Sequence, residues 1–439
     1  MPIDSLNDLK NLMASNGVSR LFAKSLAAND NSKNQVYLGG DFSALNIIPH
    51  KAIQTDSDSV AGSKRDRAKA KIDFAWVDEN GAHSAPHAQL ILYPKYPEVR
   101  FSGFLLGCRQ APNDVMRVRD EGRVLFLGIT DSGRVLGFAV ATGSQLAQEF
   151  IAECNMAEVG VFKEIPISGQ SDSKAELLGA LGRIYEKHWI TSQKLGRDGI
   201  PKPYKARNGG GYTLECELGV TPNGYAEPDY LGWEIKQYSV TNFETFRAKT
   251  PVTLFTPEPS GGVYKDCGLL PFIDRFGYAD KNGTPNRRNF GGLYRCKSDF
   301  HKVTGLRMTL LGYDYAKGLI TDMTSGLALI DRNNELAAIW NYASILEHWN
   351  RKHAKAAYIP SLFQTPPPEY RYGPKILLYE GTDFSRFLKA LVSSNIYLDP
   401  AIKVIRHDNG NVESKRRNQF RIQHKHLSSL YANEEIITL

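Results

Sequence analysis

The stretch Pro228-Asp229-Tyr230-Leu231-Gly232-Trp233-Glu234-Ile235-Lys236 brings two carboxylates and an ammonium close together in sequence. Trp233 to Tyr238 alternates like a strand, so Trp233 and Ile235 face one side and Glu234 and Lys236 share the other. Asp229 sits at the far end of the preceding turn or strand and can fold back toward Glu234. Two converging carboxylates make a hard-oxygen site of the kind Mg²⁺ prefers, with the remaining positions left to water and a substrate phosphate. A lysine beside them can orient or help deprotonate an attacking water and offset charge on a phosphorane-like transition state.

This is the P-D…E-x-K layout of metal-dependent nucleases. Alone it is weak, because a surface turn followed by a strand with an exposed Glu/Lys pair is written in the same letters. The context adds to it. Leu214 and Leu218 lie one helical turn apart and anchor a short helix that Gly219 can end. Glu215 projects from that helix just ahead of Asp229, although a solvated helix face would also explain it; Glu217, about 200° further round, points elsewhere. Gly209-Gly210-Gly211 is not followed by Gly-Lys-Ser/Thr, which argues against a phosphate loop and a nucleotide cofactor; the glycines ease entry into the helix. No histidine has metal-motif spacing.

The elements that must hold these residues belong to a long chain. At 439 residues, two or three domains are expected, each able to bury a core. Forty-two percent apolar and 23% charged residues exclude a disordered or fibrous chain. No apolar run is long enough to cross a bilayer and the start lacks a secretory pattern, so no membrane association and a cytoplasmic location are expected. The 5 cysteines are scattered, which fits reduced thiols and excludes a disulfide scaffold or a Cys-rich zinc module. A net charge of +7 permits an acidic partner such as DNA without demanding one.

The spacing predicts a first helix through Leu6, Leu9 and Leu12/Met13, capped by Asp4 and ended near Gly17. Short β-rich runs follow from Arg20 to about Ala141, among them Gln35–Leu38, Ala88–Tyr93, Arg123–Leu127 and Arg134–Phe138, with Asp131-Ser132-Gly133 as a hairpin loop. They suggest a barrel or sandwich. The polar segment Pro166–Asp172 marks a boundary between a β-rich unit, residues 1–165, and an α/β unit, residues 166–439. In the second unit Ser173 and Glu176 have capping-box spacing ahead of Leu177, Leu181 and Ile184. Leu336, Ile339/Trp340, Ala343 and Leu346 mark an amphipathic helix, Ile376–Tyr379 a buried strand, and Asp383 the cap of a helix carrying Phe384, Phe387, Leu388 and Leu391.

Gly210-Gly211-Tyr212-Thr213-Leu214-Glu215, Leu218-Gly219-Val220, Pro222-Asn223 and Pro228-Asp229-x-x-Gly232-Trp233-Glu234-x-Lys236 together resemble the signature of the MvaI/BcnI family of restriction endonucleases, over roughly Lys174 to Leu439. The resemblance implies an α/β (α+β) PD-(D/E)xK nuclease fold, Mg²⁺-dependent hydrolysis of double-stranded DNA and a monomer. It implies Asp229 and Glu234 as metal ligands, Lys236 as the catalytic lysine and Glu215 as an auxiliary acid. His348–Lys355 looks like that family's recognition segment, which makes Asn350, Arg351, Lys352, His353 and Lys355 candidate DNA-binding residues. A helix end whose cations are favoured by the dipole gives the same sequence. Leu21–Asp30 followed by Gln35–Gly39 resembles the start of the EcoRII-type effector domain, a DNA-binding β pseudobarrel, with Lys24, Asn29 and Asp30 as candidate DNA contacts. The leading expectation is therefore a type II-like, site-specific deoxyribonuclease with a separate DNA-reading domain, leaving 5′-phosphates. Alternatives are a modification-dependent nuclease and a DNA-binding regulator with an inactive nuclease fold.

Overall fold

The structure is a computed structural model that describes residues 3–28, 35–56, 60, 66–153, 156–167, 172–206, 208–221 and 228–439. It forms two compact units, Met1–Ser171 with Leu319–Met323, and Asp172–Gly318 with Thr324–Leu439. No helix among the described residues is long and apolar enough to cross a membrane.

The first unit opens with the helix Leu6–Ser15, which buries Leu9 and Met13. Its cap is Ser5 rather than Asp4. The Ser5 hydroxyl accepts from the Asp8 amide while the Asp8 carboxylate accepts from the Ser5 amide, a reciprocal pairing unavailable one residue earlier. A seven-stranded sheet follows, in the order 157–159, 162–165, 18–26, 123–130, 135–140, 74–78, 81–84; a five-stranded sheet runs 35–37, 98–102, 89–93, 68–71, 54–55. The hairpin at Asp131–Gly133 joins two antiparallel strands as expected. Phe74 of the larger sheet meets Phe101 of the smaller with ring centroids 5.0 Å apart, so aromatic packing joins the sheets. Closure into a barrel is not seen. The larger sheet ends on the short strands Ala157–Val159 and Gly81–Ser84, half or fully exposed, and neither has a second strand partner among the described residues.

In the second unit the site rests on a few elements. Helix α1 (Ser173–Glu186) is capped by Asp172, not Ser173, and buries Leu177, Leu181 and Ile184. Helix α2 is Gly209–Glu217 and strand β1 is Glu234–Ser239. Helix α3 (Tyr342–His353) leads into strand β2 (Lys355–Gln364), and β3 (Glu369–Tyr372), β4 (Lys375–Glu380) and helix α4 (Phe384–Val392) follow. β1 runs parallel to β2, pairing Glu234 with Ala356 and Lys236 with Tyr358; β3 and β4 lie antiparallel to β2. Leu177, Leu181 and Ile184 of α1 and Leu214 of α2 pack with Trp233, Ile235, Ala357, Ile359, Ile376 and Leu378 into one apolar cluster. Strand alternation then turns Glu234 and Lys236 away from that cluster.

One expected helix is misplaced by half its length. Leu336–Asn341 is a strand paired with Gly326–Ile330, and the helix begins only at Tyr342. The Asn341 carboxamide accepts from the Ser344 amide at 2.9 Å and sets that boundary. Ala343 and Leu346 are helical as expected, whereas Leu336, Ile339 and Trp340 belong to the ladder. The α4 helix, by contrast, has its expected cap at Asp383 and buries Phe384, Phe387, Leu388 and Leu391.

Candidate active site

The turn ahead of β1 is tight. Tyr230 and Trp233 exchange backbone hydrogen bonds of 3.0 and 2.8 Å, and the two residues between them, Leu231 and Gly232, have φ of 49° and 82°. That reversal folds Asp229 back so that its Oδ2 accepts from the Ile235 amide at 3.0 Å, which anchors one carboxylate beside the strand carrying the other. A Cβ on Gly232 would meet open space, so only backbone conformation demands glycine there. Gly232→Val is therefore expected to cost about 1–2 kcal/mol from its left-handed geometry and to weaken divalent-metal binding by displacing Asp229. A denaturant melt and a metal titration check this; wild-type values in both would refute the role of the turn.

Glu234 is 0% exposed, yet it is charged company that surrounds it. Its Oε1 accepts from the Lys236 ammonium and, at 3.4 Å, from the Lys352 ammonium of α3. Its Oε2 is buried without a hydrogen-bond partner. Burial pushes the Glu234 carboxyl up and the nearby Asp229 carboxylate adds to this, against the pull of the two lysines. For Lys236 burial opposes the charge, but the Glu234 and Asp229 carboxylates outweigh it and raise its pKa. Lys236 is thus an ammonium at neutral pH, suited to donating hydrogen bonds and stabilising negative charge rather than to removing a proton.

Glu215, on α2, feels the same cluster. Burial, then the Asp229 and Glu234 carboxylates, push it up to about 7 against the pull of Lys236 and Lys352. Glu217 points elsewhere, as its position on the helix requires: it accepts from Lys187 at 2.6 Å and from Gln193 at 2.7 Å. The glycines ahead of Glu215 are used for close approach. A Cβ on Gly210 would lie 2.8 Å from the Gln237 side chain of β1, and one on Gly209 would lie 2.4 Å from the Ser192 hydroxyl. Gly210 lets α2 press against the strand that carries Glu234.

Among the described residues no group of three or more His, Cys, Asp or Glu side chains could hold a metal ion. Asp229 and Glu234 nevertheless fit a hard divalent cation of the Mg²⁺ type, which keeps several waters and takes only one or two carboxylates. The unpartnered, buried Glu234 Oε2 is the observation that favours this, since a bare carboxylate oxygen out of water is costly unless something positive meets it.

The residues expected to read DNA are scattered in environment. Asn350 and His353 are 1% and 0% exposed, packed on the inner side of α3, where His353 stacks on Trp349 at 4.3 Å between centroids. Placed so, they support α3 rather than face solvent. Arg351 is paired with Glu347 at 3.0 Å, and Lys355 lies over the Trp233 ring at 5.5 Å. Lys352 joins the carboxylate cluster instead. In the first unit Lys24 is 7% exposed and its ammonium reaches the Ser25 carbonyl, while Asn29 and Asp30 lie outside the described residues. The contact of Lys352 with Glu234 joins residues 118 positions apart and had no signal in the sequence beyond its basic neighbours.

The mixed α/β unit thus gathers acidic and basic side chains from two helices and a turn around one strand. The model of the MvaI/BcnI restriction endonuclease family matches residues 178–431, more than half of the chain, and the chain belongs to that family. It is accordingly a restriction enzyme, a hydrolase that cleaves DNA. Among solved structures it is similar to a restriction endonuclease MvaI–cognate DNA substrate complex, at 17% identity over 61% of this chain and 99% of that one, with a TM-score of 0.47. It is also similar to restriction endonuclease MvaI in the absence of DNA, at 16% identity over 61% and 98%, with a TM-score of 0.34. None of the curated proteins matches the chain.

Proposed function

We propose that the second unit is a PD-(D/E)xK nuclease that cuts double-stranded DNA at defined sites, leaves 5′-phosphates and depends on Mg²⁺ held by Asp229 and Glu234. The buried Glu234 carboxylate with one oxygen unmatched carries this reading. Mg²⁺ bound there would supply Lewis-acid stabilisation of charge on the phosphoryl oxygens. Lys236, fixed on the same face of β1, donates to an oxygen of the reacting group and offsets its developing charge. Glu215, with its proton affinity near neutrality, can take or hold a proton beside the attacking water. The first unit is proposed as the DNA-reading domain on the strength of its sequence resemblance, and the enzyme as a monomer.

Incubating the full chain with plasmid DNA in Mg²⁺, with EDTA as the control and the ends mapped, tests the proposal. Discrete fragments with 5′-phosphate ends that vanish with EDTA are expected. Intact plasmid with every divalent ion would instead leave a DNA-binding protein with an inactive nuclease fold, and equal cutting in EDTA would remove the metal.

A further inference from the structure

Three cations crowd the end of α3, and each has a different partner. Arg351 turns back to Glu347 on its own helix, and Lys355 covers the Trp233 ring. Lys352 crosses to β1, where its ammonium lies 3.4 Å from the same Glu234 oxygen that Lys236 contacts. Its side chain is 23% exposed, close to the 21% of Lys236 and unlike a residue held out for a DNA groove. A cation near a helix C-terminus is favoured by the dipole wherever it points; the dipole does not explain why this one points inward at a buried carboxylate.

The backbone fixes that aim. Only Ala354 separates α3 from β2, and β2 is the strand that pairs with β1. Lys352 is thus tied to Glu234 through a helix-to-strand junction and a parallel ladder, with no flexible loop between them. The charge of the cluster makes sense of it. Two ammoniums converge on the one Glu234 oxygen and leave positive charge facing the site. That charge favours the approach of a phosphodiester; without Lys352 only Lys236 supplies it.

We infer that Lys352 is a positioning residue of the cleavage site and not a reader of bases. It holds Glu234 Oε1, so that Oε2 is left for the metal, and keeps the loaded site from repelling the scissile phosphate. The inference rests on the proposed metal role of Glu234.

The test uses full-length Lys352→Met and Lys352→Arg, checked by thermal melting. Three quantities are read: Mn²⁺ binding to the metal- and DNA-free protein, single-turnover cleavage in Mg²⁺ of a duplex carrying the mapped site, and the ratio of affinities in Ca²⁺ for that duplex and a scrambled one. Removing a positive charge that repels the ion should tighten Mn²⁺ binding by roughly 5–10-fold in Lys352→Met while slowing cleavage by ~50-fold or more. The affinity ratio should stay within about twofold of wild type. Lys352→Arg, which keeps the charge and is the variant to use if the methionine protein melts early, should bind Mn²⁺ as wild type does and cleave within about tenfold of it. A collapsed affinity ratio with unchanged Mn²⁺ binding makes Lys352 a base reader and overturns the inference, as does wild-type behaviour of Lys352→Met throughout or a well-folded Lys352→Arg that does not cut. Glu234→Gln run in parallel separates the two levels: if it still cuts, the metal-site reading falls; if it stops while Lys352→Met cuts normally, only the lysine inference falls.

Discussion

Replacing Glu234 is expected to slow Mg²⁺-supported cleavage of duplex DNA by ~10³-fold or more, about 4 kcal/mol in the barrier, because the carboxylate that offers a bare oxygen to the metal is gone. The choice of substitution matters. Alanine would leave the Lys236 and Lys352 ammoniums facing a cavity without the carboxylate they contact, and breaking a buried pair this way costs about 3–5 kcal/mol of stability. Glutamine keeps the volume and one oxygen acceptor, so Glu234→Gln separates lost chemistry from lost fold. The expected result is a protein that melts within a few degrees of wild type, binds its duplex in Ca²⁺ and fails to cut in Mg²⁺. A folded glutamine variant that cuts at the wild-type rate removes Glu234 from the site.

The second large effect is on stability and concerns Glu215. Its carboxyl is pushed up from 4.5 to about 7, chiefly by burial and then by the Asp229 and Glu234 carboxylates. The unfolded chain loses this proton near the ordinary value while the folded chain keeps it to about 7. Between those values the folded state binds more protons, so stability falls as pH rises and the full penalty is present above pH 7. The 2.5-unit separation corresponds to about 3 kcal/mol. Glu215→Gln removes the titration, so the metal-free variant is expected to be more stable than wild type at pH 8 by up to that amount. The gain should shrink toward pH 5.5 and be accompanied by slower cleavage. Denaturant unfolding in EDTA at the two pH values measures it; a variant no more stable than wild type at pH 8 would show that Glu215 is not held in the cluster. Adding Mg²⁺ should stabilise wild type more than the variant, since the ion meets the charge the variant lacks.

The cluster was legible wherever neighbours in sequence become neighbours in space by simple periodicity. Strand alternation placed Glu234 with Lys236 and opposite Trp233 and Ile235, and helical spacing separated Glu215 from Glu217. The reversal at Leu231-Gly232 was not read from the sequence, because one of its two left-handed residues is a leucine, which carries no turn signal. What escaped the sequence came from competition between local and tertiary preferences. Leu336, Ile339 and Trp340 fit a helical stripe, but pairing with Gly326–Ile330 drew them into a strand, and Asn341 rather than periodicity marked the helix start. Caps slipped by one residue at Ser5 and Asp172, because several adjacent polar residues can each serve and geometry chooses among them. Basic residues near α3 were visible, but not their partners: Asn350 and His353 turn inward with Trp349, and only the parallel pairing of β1 with β2 brings Lys352 to Glu234.

The near-seamless passage from α3 into β2 bears on attempts to retarget the enzyme. A designer changing side chains between His348 and Lys355 to alter sequence preference would be working on the segment whose Lys352 contacts the Glu234 carboxylate. A small rotation there, harmless in a loop, would shift the strand that pairs with the one carrying Glu234 and Lys236. Retargeted variants built in this segment should therefore be screened for turnover and preference together, and compensating changes sought where β1 meets β2.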